Sequence, residues 1–335
     1  MEDQTISLTT KSGASLKIST FFPPPSKEEQ NNPLKHTLLV FLNGLILPRS
    51  LWAESIYHLL SLRASSHLPA GIITYDRYGQ GDSDPDPSDP PDTPYGHDAL
   101  TIITDLHQLL TQVSHQFLKR RLESLELVFV ANSIGCPLAR LYAARYPGSV
   151  AGVLCLDSMM ANSDFVDSLF PDPDDAAFES GKLPPGISVE DIRFARERFR
   201  AFFHPSVTNP ERFDRRNMAK LLPRAHGPVL PPVGGTQGRR PRVVVVGHDA
   251  VEFARQSEEG SLAVPKRITN AYVDPAWSEY NKGLTQLGES QDRTSPEGGN
   301  VKIAKGCGHF IQKDDPVFVA REISTLLDYL SRTPS

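Results

Sequence analysis

Long apolar runs are missing from this sequence, and so is any excess of basic residues. No uninterrupted apolar run reaches about 18 residues, the length that a membrane-spanning helix needs, and the N-terminal residues MEDQTISLTT contain neither a basic nor an apolar segment. We therefore expect a soluble, intracellular and cytoplasmic protein. The formal net charge of −5 argues against a nucleic-acid or membrane partner and favours a small-molecule substrate.

Cysteine is also scarce. The three cysteines, Cys136, Cys155 and Cys307, do not have the spacing of a metal site, and at least one of them stays unpaired in any disulfide scheme. Each lies in or beside a predicted core element, which favours free thiols. Gly79 and Gly81 form a G-x-G pair, but the third glycine of a phosphate-binding loop is missing. We therefore expect neither a metal nor another cofactor.

The sequence does contain short apolar runs that alternate with amphipathic segments. Runs such as GIITY and RVVVVG have the β-branched character of buried strands, and the segments 51–63 and 95–118 have helical periodicity. This alternation predicts a parallel sheet with helices on both faces. Near the N-terminus, apolar and polar residues alternate over 5–22, which predicts a β-hairpin of two edge strands.

Residues 159–240 break this alternation. They combine Asp/Pro turns with a charged helix near 189–203. We interpret this segment as an inserted cap. The chain then divides into a first core part, residues 1–158, the cap, residues 159–240, and a second core part, residues 241–335.

One serine stands where a buried strand gives way to small residues. The run LELVFVANSIGCP, residues 125–137, predicts a strand, a sharp turn at Ser133 and a helix. In such a turn the positions two before and two after the serine must be small, and here they are Ala131 and Gly135. Ala131 differs by one methyl from the usual G-x-S-x-G pattern. A short motif of this kind also fits an ordinary turn serine, so further residues must support it.

A serine nucleophile needs a histidine to take its proton and a carboxylate to orient that histidine. His309 follows the last predicted strand in GCGHF and is our candidate base. Two carboxylates compete for the third role, since Asp157 ends the strand after the serine and Asp249 ends the strand after that. Glu252 is a third and weaker candidate.

Together, these segments resemble the α/β-hydrolase superfamily, over about 37–158 and from 242 to the C-terminus. The resemblance implies the α/β-hydrolase fold, a mostly parallel eight-stranded sheet flanked by helices, with the order serine, acid, histidine along the chain. The separation of Ser133 and Asp157 is similar to that in haloalkane dehalogenases. Relatives with the acid on the following strand usually leave two residues after a glycine, whereas Gly247-His248-Asp249 leaves one. We favour Asp157 and keep Asp249 as the alternative.

The resemblance also implies an oxyanion hole made by two backbone N–H groups. Ile134, the residue after the nucleophile, would provide one of them. Leu45, in the sequence Asn43-Gly44-Leu45, would provide the other, while Asn43 itself is better explained as a structural residue. The segment DRYGQGDSD resembles a structural loop of the family, in which the aspartates would cap turns.

Several segments, including LDSMMANSDF and GCGHFIQKDDP, further resemble a fungal subgroup often associated with secondary-metabolite pathways. The implied function is a cofactor-independent serine hydrolase that cleaves an ester, lactone or thioester of a mid-sized apolar metabolite. Serine at the nucleophile position disfavours epoxide-hydrolase and dehalogenase chemistry, which uses aspartate there. We expect the pocket to be lined by aromatic residues of the cap and the following linker, namely Phe165, Phe170, Phe199, Phe202, Phe203 and Trp277.

Two other functions remain open at this point. The same fold could perform non-hydrolytic biosynthetic chemistry, such as cyclisation or C–C bond formation or cleavage, or it could be a non-catalytic ligand receptor. The sequence specifies neither the substrate nor the oligomeric state.

Overall fold

The structure, a computed structural model, describes residues 1–24, 31–234, 238–289 and 300–332. The strands of this described part are β1 (Glu2–Ile6), β2 (Leu16–Phe21), β3 (Thr37–Leu42), β4 (Gly71–Tyr75), β5 (Glu126–Ser133), β6 (Val150–Ser158), β7 (Arg242–His248) and β8 (Lys302–Ala304). They form one sheet in the order β1-β2-β4-β3-β5-β6-β7-β8. β2 is antiparallel to both of its neighbours, whereas β3 to β8 are parallel. The predicted eight-stranded, mostly parallel sheet is confirmed.

Helices cover both faces of this sheet. Those in the described residues are α1 (Ala53–Leu62), α2 (Ala99–Val113), α3 (Gly135–Arg145), α4 (Val189–Phe202), α5 (Met218–Leu221), α6 (Ala250–Glu259), α7 (Lys266–Ile268), α8 (Asp274–Leu284), α9 (Ile311–Asp314) and α10 (Pro316–Arg332). None of these described helices combines the length and the apolar character that crossing a membrane requires.

The parallel strands are apolar without interruption because both faces of the sheet are buried. In β3, Leu38 and Val40 belong to the hydrophobic cluster that includes α2 and α3, while Leu39 and Phe41 belong to the cluster that includes α1 and α10. The three cysteines are buried and unpaired, as expected. The two clusters pack against opposite faces of the strands, and the carboxyl ends of β3, β5, β6 and β7 lead into the predicted site residues Leu45, Ser133, Asp157 and Asp249.

The N-terminal hairpin is confirmed, but only β1 lies at an edge. Ile18 of β2 pairs with Gln4 of β1 on one side and with Tyr75 of β4 on the other, so the prediction of two edge strands is wrong. The alternation of apolar and polar residues in β2 was the basis of that prediction. Ser19 is nevertheless buried and donates a hydrogen bond to Asp3 at 2.5 Å, which satisfies its hydroxyl within the sheet.

Two of the predicted helix boundaries differ from the observed ones. The helix predicted over 95–118 begins only after Asp98. This residue has an extended backbone, and its side-chain oxygen caps the helix by accepting from the Thr101 N–H at 2.9 Å. After Val113 the chain continues as a π-helical turn to Leu118. The helix predicted near 189–203 is observed as α4, with a capping box formed by Ser188 and Asp191.

The segment 159–240 adds no strand to the sheet in its described residues. Most of it consists of turns around α4 and α5. The inner face of α4 buries Ile192, Ala195 and Phe199 against the same hydrophobic cluster that contains α2 and α3. The segment therefore packs on the sheet without extending it.

Candidate active site

Ser133 lies at the sharp turn between β5 and α3. Its φ angle of +54° places it in the left-handed region, which non-glycine residues seldom adopt. A Cβ atom on Gly135 would collide with the carbonyl oxygen of Leu42, so the position two after the serine requires glycine. Ala131 is fully buried between its strand partners Leu42 and Cys155, and its methyl is accommodated there. The small residues thus allow the close approach that the sequence predicted.

The structure places Asp157, and not Asp249, against His309. The Nδ1 atom of His309 lies 2.6 Å from Oδ2 of Asp157, whose side chain is completely buried. Asp249 instead caps α6, where its carboxylate accepts from the Val251 N–H at 3.0 Å and the Gly306 N–H at 3.1 Å. Glu252 forms an ion pair with Arg255 at 2.6 Å. Of the three candidate carboxylates, Asp157 alone has an oxygen at hydrogen-bond distance from the imidazole in the described residues.

Asn132 connects the serine turn to the histidine loop. Its amide donates to the carbonyl oxygens of Leu156 at 2.9 Å and His309 at 3.1 Å, and its own oxygen accepts from Gln312 at 3.1 Å. The ends of β5 and β6 and the loop after β8 are therefore tied together beside Ser133. Asn132 had no predicted role, although an amide directly before the candidate serine was an available signal in the sequence.

The Asp157 carboxylate is shared between two histidines. Its other oxygen, Oδ1, lies 2.9 Å from Nδ1 of His248 and accepts from the His248 backbone N–H at 3.2 Å. Burial alone would raise the pKa of Asp157, but the facing His248 and His309 outweigh burial and lower this pKa to about 2. Asp157 is therefore ionised at neutral pH. An ionised carboxylate holds the His309 Nδ1–H and leaves Nε2 free to accept a proton.

The loop after β3 packs directly on the serine turn. A Cβ atom on Gly44 would stand 3.4 Å from the Ser133 Cβ and 3.2 Å from the Asn132 Oδ1. Asn43 is buried and donates to the Tyr75 carbonyl at 2.8 Å while accepting from the Trp52 indole at 2.7 Å, which confirms its structural interpretation. The half-buried Leu45 follows Gly44 in this loop.

Three buried side chains brace this loop. Arg77 donates to the carbonyl oxygens of Asn43 at 2.9 Å and Gly44 at 2.8 Å, and Gln80 also donates to the Gly44 oxygen at 2.9 Å. Glu211 pairs with Arg77 at 2.9 Å and accepts from Gln80 at 3.0 Å. Because a trans peptide points its C=O and the next N–H in opposite directions, anchoring the Gly44 oxygen fixes the direction of the Leu45 N–H.

The opposite side of the serine turn is the beginning of α3. Ile134 is the N-cap residue of this helix and is buried. The first N–H groups of a helix have no partner within it, and the helix dipole favours negative charge there. The arrangement can therefore stabilise an anion that develops next to Ser133.

A comparison with protein-family models identifies the superfamily. The model described as the alpha/beta hydrolase family matches residues 39–322. The chain belongs to this family. No curated protein sequence matches the chain.

Solved structures of other alpha/beta hydrolases share the fold. Alpha/beta hydrolase domain-containing protein 10 from mouse is 13% identical, with 98% of this chain and 100% of that chain covered and a TM-score of 0.51. A putative lipase from Acinetobacter baumannii AYE is 14% identical, with 99% and 92% covered and a TM-score of 0.51. An epoxide hydrolase from Vigna radiata is 14% identical, with 98% of each chain covered and a TM-score of 0.50. At this identity, the likeness concerns the fold alone.

In this alpha/beta hydrolase, aromatic rings form a continuous path away from His309. The ring of Trp277 lies 5.5 Å from that of His309, and Phe165 follows at 6.1 Å from Trp277. Beyond Phe165, the path continues through Phe203, Phe199 and Phe170 at ring distances of 5.8, 5.2 and 5.0 Å. The Phe202 ring lies 6.3 Å from that of Phe203, but it stands on the outer side of the path, since it is 40% exposed and lies under Arg198.

A second cluster of polar side chains has donor types that suit a metal. Asp86, Asp89 and His97 place one ligand atom each within 4.8 Å of one another. The Lys11 ammonium, however, lies 2.6 Å from Asp86 and 2.7 Å from Asp105, so a lysine already balances the negative charge. We interpret this group as an ion-pair cluster that ties the N-terminal hairpin to the loop before α2.

Proposed function

We propose that the protein is a serine hydrolase that cleaves an ester, lactone or thioester through Ser133, His309 and Asp157. The observation that carries this proposal is the 2.6 Å contact between His309 and the buried Asp157, beside a serine with a φ angle of +54°. Family membership supports hydrolase chemistry, and the serine at the turn supports acyl transfer.

The proposed reaction has two halves. In the first, the Ser133 Oγ attacks the substrate carbonyl while His309 Nε2 takes the hydroxyl proton, and the oxyanion accepts hydrogen bonds from the N–H groups of Ile134 and Leu45. The C–O or C–S bond to the leaving group then breaks, and His309 protonates that group. In the second half, His309 takes a proton from water, the hydroxide attacks the acyl-enzyme, and the acid product leaves as Ser133 regains its proton.

The segment 159–240 would serve as a cap that binds the apolar part of the substrate. This assignment is supported by the ring path, because Phe165 and Phe203 of the segment connect to Trp277, which contacts His309. An apolar, mid-sized metabolite, of the kind found in fungal secondary metabolism, fits such surroundings better than a charged one.

Active-site labelling followed by product analysis tests the proposal. A fluorophosphonate probe should label the wild-type protein and leave Ser133→Ala unlabelled. A panel of p-nitrophenyl esters, thioesters and lactones in ¹⁸O-water should give acids that carry one ¹⁸O atom. Because subtilisin-like triads lose about 10⁶ in kcat without the serine, Ser133→Ala should be inactive while retaining the wild-type circular dichroism spectrum.

Three other outcomes would contradict, in turn, the hydrolytic chemistry, the catalytic role of the protein and the role of Ser133. Labelling at Ser133 without ¹⁸O incorporation, but with a rearranged product, would indicate non-hydrolytic chemistry on the same nucleophile. No labelling at Ser133, together with saturable ligand binding, would indicate a receptor. More than a tenth of the wild-type rate in Ser133→Ala would exclude the serine as nucleophile.

A further inference from the structure

A second histidine occupies the oxygen of Asp157 that His309 does not use. His248, the last residue of β7, contacts Oδ1 of Asp157 through both its ring Nδ1 at 2.9 Å and its backbone N–H at 3.2 Å. The carboxylate of Asp157 is thus held at one oxygen by β7, and its other oxygen is aimed at His309. The proposed triad does not itself require this contact.

Both ring nitrogens of His248 face carboxylates. Nδ1 faces Asp157, and Nε2 lies 3.3 Å from Oδ1 of Asp274, the first residue of α8. Ionised carboxylates only accept hydrogen bonds, so both nitrogens must carry hydrogen, and the ring is an imidazolium. Burial alone would lower the pKa of His248, but the two carboxylates outweigh burial and raise this pKa to about 9.

The surroundings of His248 hold the cation in place. The Phe253 ring of α6 stacks on it at 4.1 Å, and the Trp277 ring meets it edge-on at 5.7 Å. The charged groups that face the His248 ring are Asp157 and Asp274. His309 lies on the other side of the Asp157 carboxylate. The other oxygen of Asp274 is buried and has no hydrogen-bond partner in the described residues, so His248 provides its compensating charge.

We propose that His248 is a positioning residue that fixes the Asp157 carboxylate and, as a buried cation, offsets part of its negative charge. Negative, positive and negative charges then follow one another along Asp274, His248 and Asp157, and the neutral His309 is next in this row. With part of its charge offset, Asp157 attracts a proton to His309 less strongly than a lone carboxylate would. His309 therefore stays neutral, and able to accept the serine proton, at a more acidic pH than it would without His248. This inference rests on the proposed function of Asp157 and His309.

His248→Asn separates the charge of His248 from its hydrogen bond. The Asn Nδ2–H can replace the ring Nδ1–H, but it carries no charge. We expect the acidic limb of the kcat/KM profile to move up by about one pH unit. The variant should then be about tenfold slower at about pH 6 and should approach wild type at about pH 9, where His248 itself loses its proton. The exposed His115→Asn, at the end of α2, is the matched control and should keep the wild-type profile.

A measurement on the resting protein tests the inference without turnover. With ¹⁵N-labelled histidine, NMR should show one imidazole, absent in His248→Asn, that stays doubly protonated up to about pH 8. The signal of His309 is assigned by its absence in His309→Asn. This signal should titrate about one pH unit higher in His248→Asn than in wild type. Failure of ester turnover with these signals intact would overturn the proposed function and leave the charge arrangement standing.

Three results would overturn the inference itself. One is a His248 ring that is neutral at about pH 7. Another is an unchanged His309 titration in His248→Asn, and the third is an equal loss of rate at every pH, which indicates a merely structural role.

If His248→Asn does not fold, Asp274→Asn replaces it. This variant should move the deprotonation of His248 about one pH unit lower, and an unmoved His248 signal would reject the arrangement.

Discussion

The two sides of the proposed active site are both held by buried ion pairs, yet the cations differ in kind. On the acid side, comprising Asp157, His248 and Asp274, the cation is a histidine that can lose its proton in mildly alkaline solution. On the oxyanion side, comprising Arg77, Gln80 and Glu211, the cation is a guanidinium that stays charged at any pH a protein survives. The direction of the proposed oxyanion donors should therefore be insensitive to pH, whereas the charge around the proposed base, His309, should not.

The largest effect is expected from the acid side, when the carboxylate that orients the base is neutralised. Asp157→Asn keeps the shape of the side chain but allows the wrong tautomer of His309, so kcat should fall by about 10⁴. Asp249→Asn is the matched control, because asparagine can still cap α6 through its side-chain oxygen. The kcat of this control should fall by less than about threefold, because the helix cap is retained. Steady-state kinetics with a chromogenic ester would measure both variants.

The reverse ranking would assign the acid to the strand end that carries Asp249. Comparable losses in both variants would mean that each carboxylate supports His309, one of them indirectly.

A smaller effect is expected from the oxyanion side. Glu211→Gln keeps an acceptor oxygen for Gln80 but leaves the Arg77 guanidinium without a counter-charge, so Arg77, one of the two donors to the Gly44 carbonyl, is held less firmly. Since misplacing one oxyanion donor costs roughly 10- to 100-fold, kcat should fall by that factor with little change in KM. The shape of the pH profile should stay that of wild type, because His309, Asp157 and His248 are unaltered.

Glu190→Gln is the control for this variant, since Glu190 is an exposed residue of the same inserted segment. Urea denaturation of both proteins would show whether any loss of rate is only a loss of folded protein. An unchanged kcat in folded Glu211→Gln would mean that Leu45 does not supply an oxyanion donor. A displaced acidic limb would mean that the two sides are electrostatically coupled.

The smallest expected effect concerns stability and pH. The pKa of His248 is raised from 6.5 to about 9 in the folded protein. Its ion pairs therefore contribute fully below about pH 6.5, and their contribution is lost as the pH rises through about 9. Between these values, the free energy of unfolding of wild type should fall by on the order of 1 to 3 kcal/mol more than that of His248→Asn. Urea denaturation at both pH values measures the difference, and equal pH dependence in the two proteins would contradict it.

The features that local patterns can reveal were predictable from sequence. Ser133 and Gly135 follow from the small residues at a strand end, and His309 follows from its place after the last strand. The choice between Asp157 and Asp249 remained open, because it depends on how the ends of β6 and β7 face each other. In the sequence, His248 was considered only as the residue between Gly247 and Asp249. Its proposed role depends on a contact with Asp274, which lies on a helix further along the chain.

The oxyanion side was not predictable beyond Leu45. Glu211 is 134 residues from Arg77 in the sequence and lies in a segment without periodic signal, so no local pattern pairs the two. Among the aromatic residues expected in the pocket, Phe202 and Phe203 are neighbours at the end of α4. The Phe202 ring is exposed, whereas the Phe203 ring is half-buried and packs against Phe165 and Phe199, a difference that depends on tertiary packing.

The position of Glu211 limits how this protein can be engineered by exchanging parts. The segment 159–240, from which substrate preference would be borrowed in a chimera, also supplies the counter-charge for the Arg77 guanidinium, which belongs to the loop after β4. A donor segment without a carboxylate at this place would leave Arg77 buried and unbalanced, at a cost of roughly 3 to 5 kcal/mol. Segment exchange in this enzyme therefore has to carry Glu211 along, or replace Arg77 at the same time.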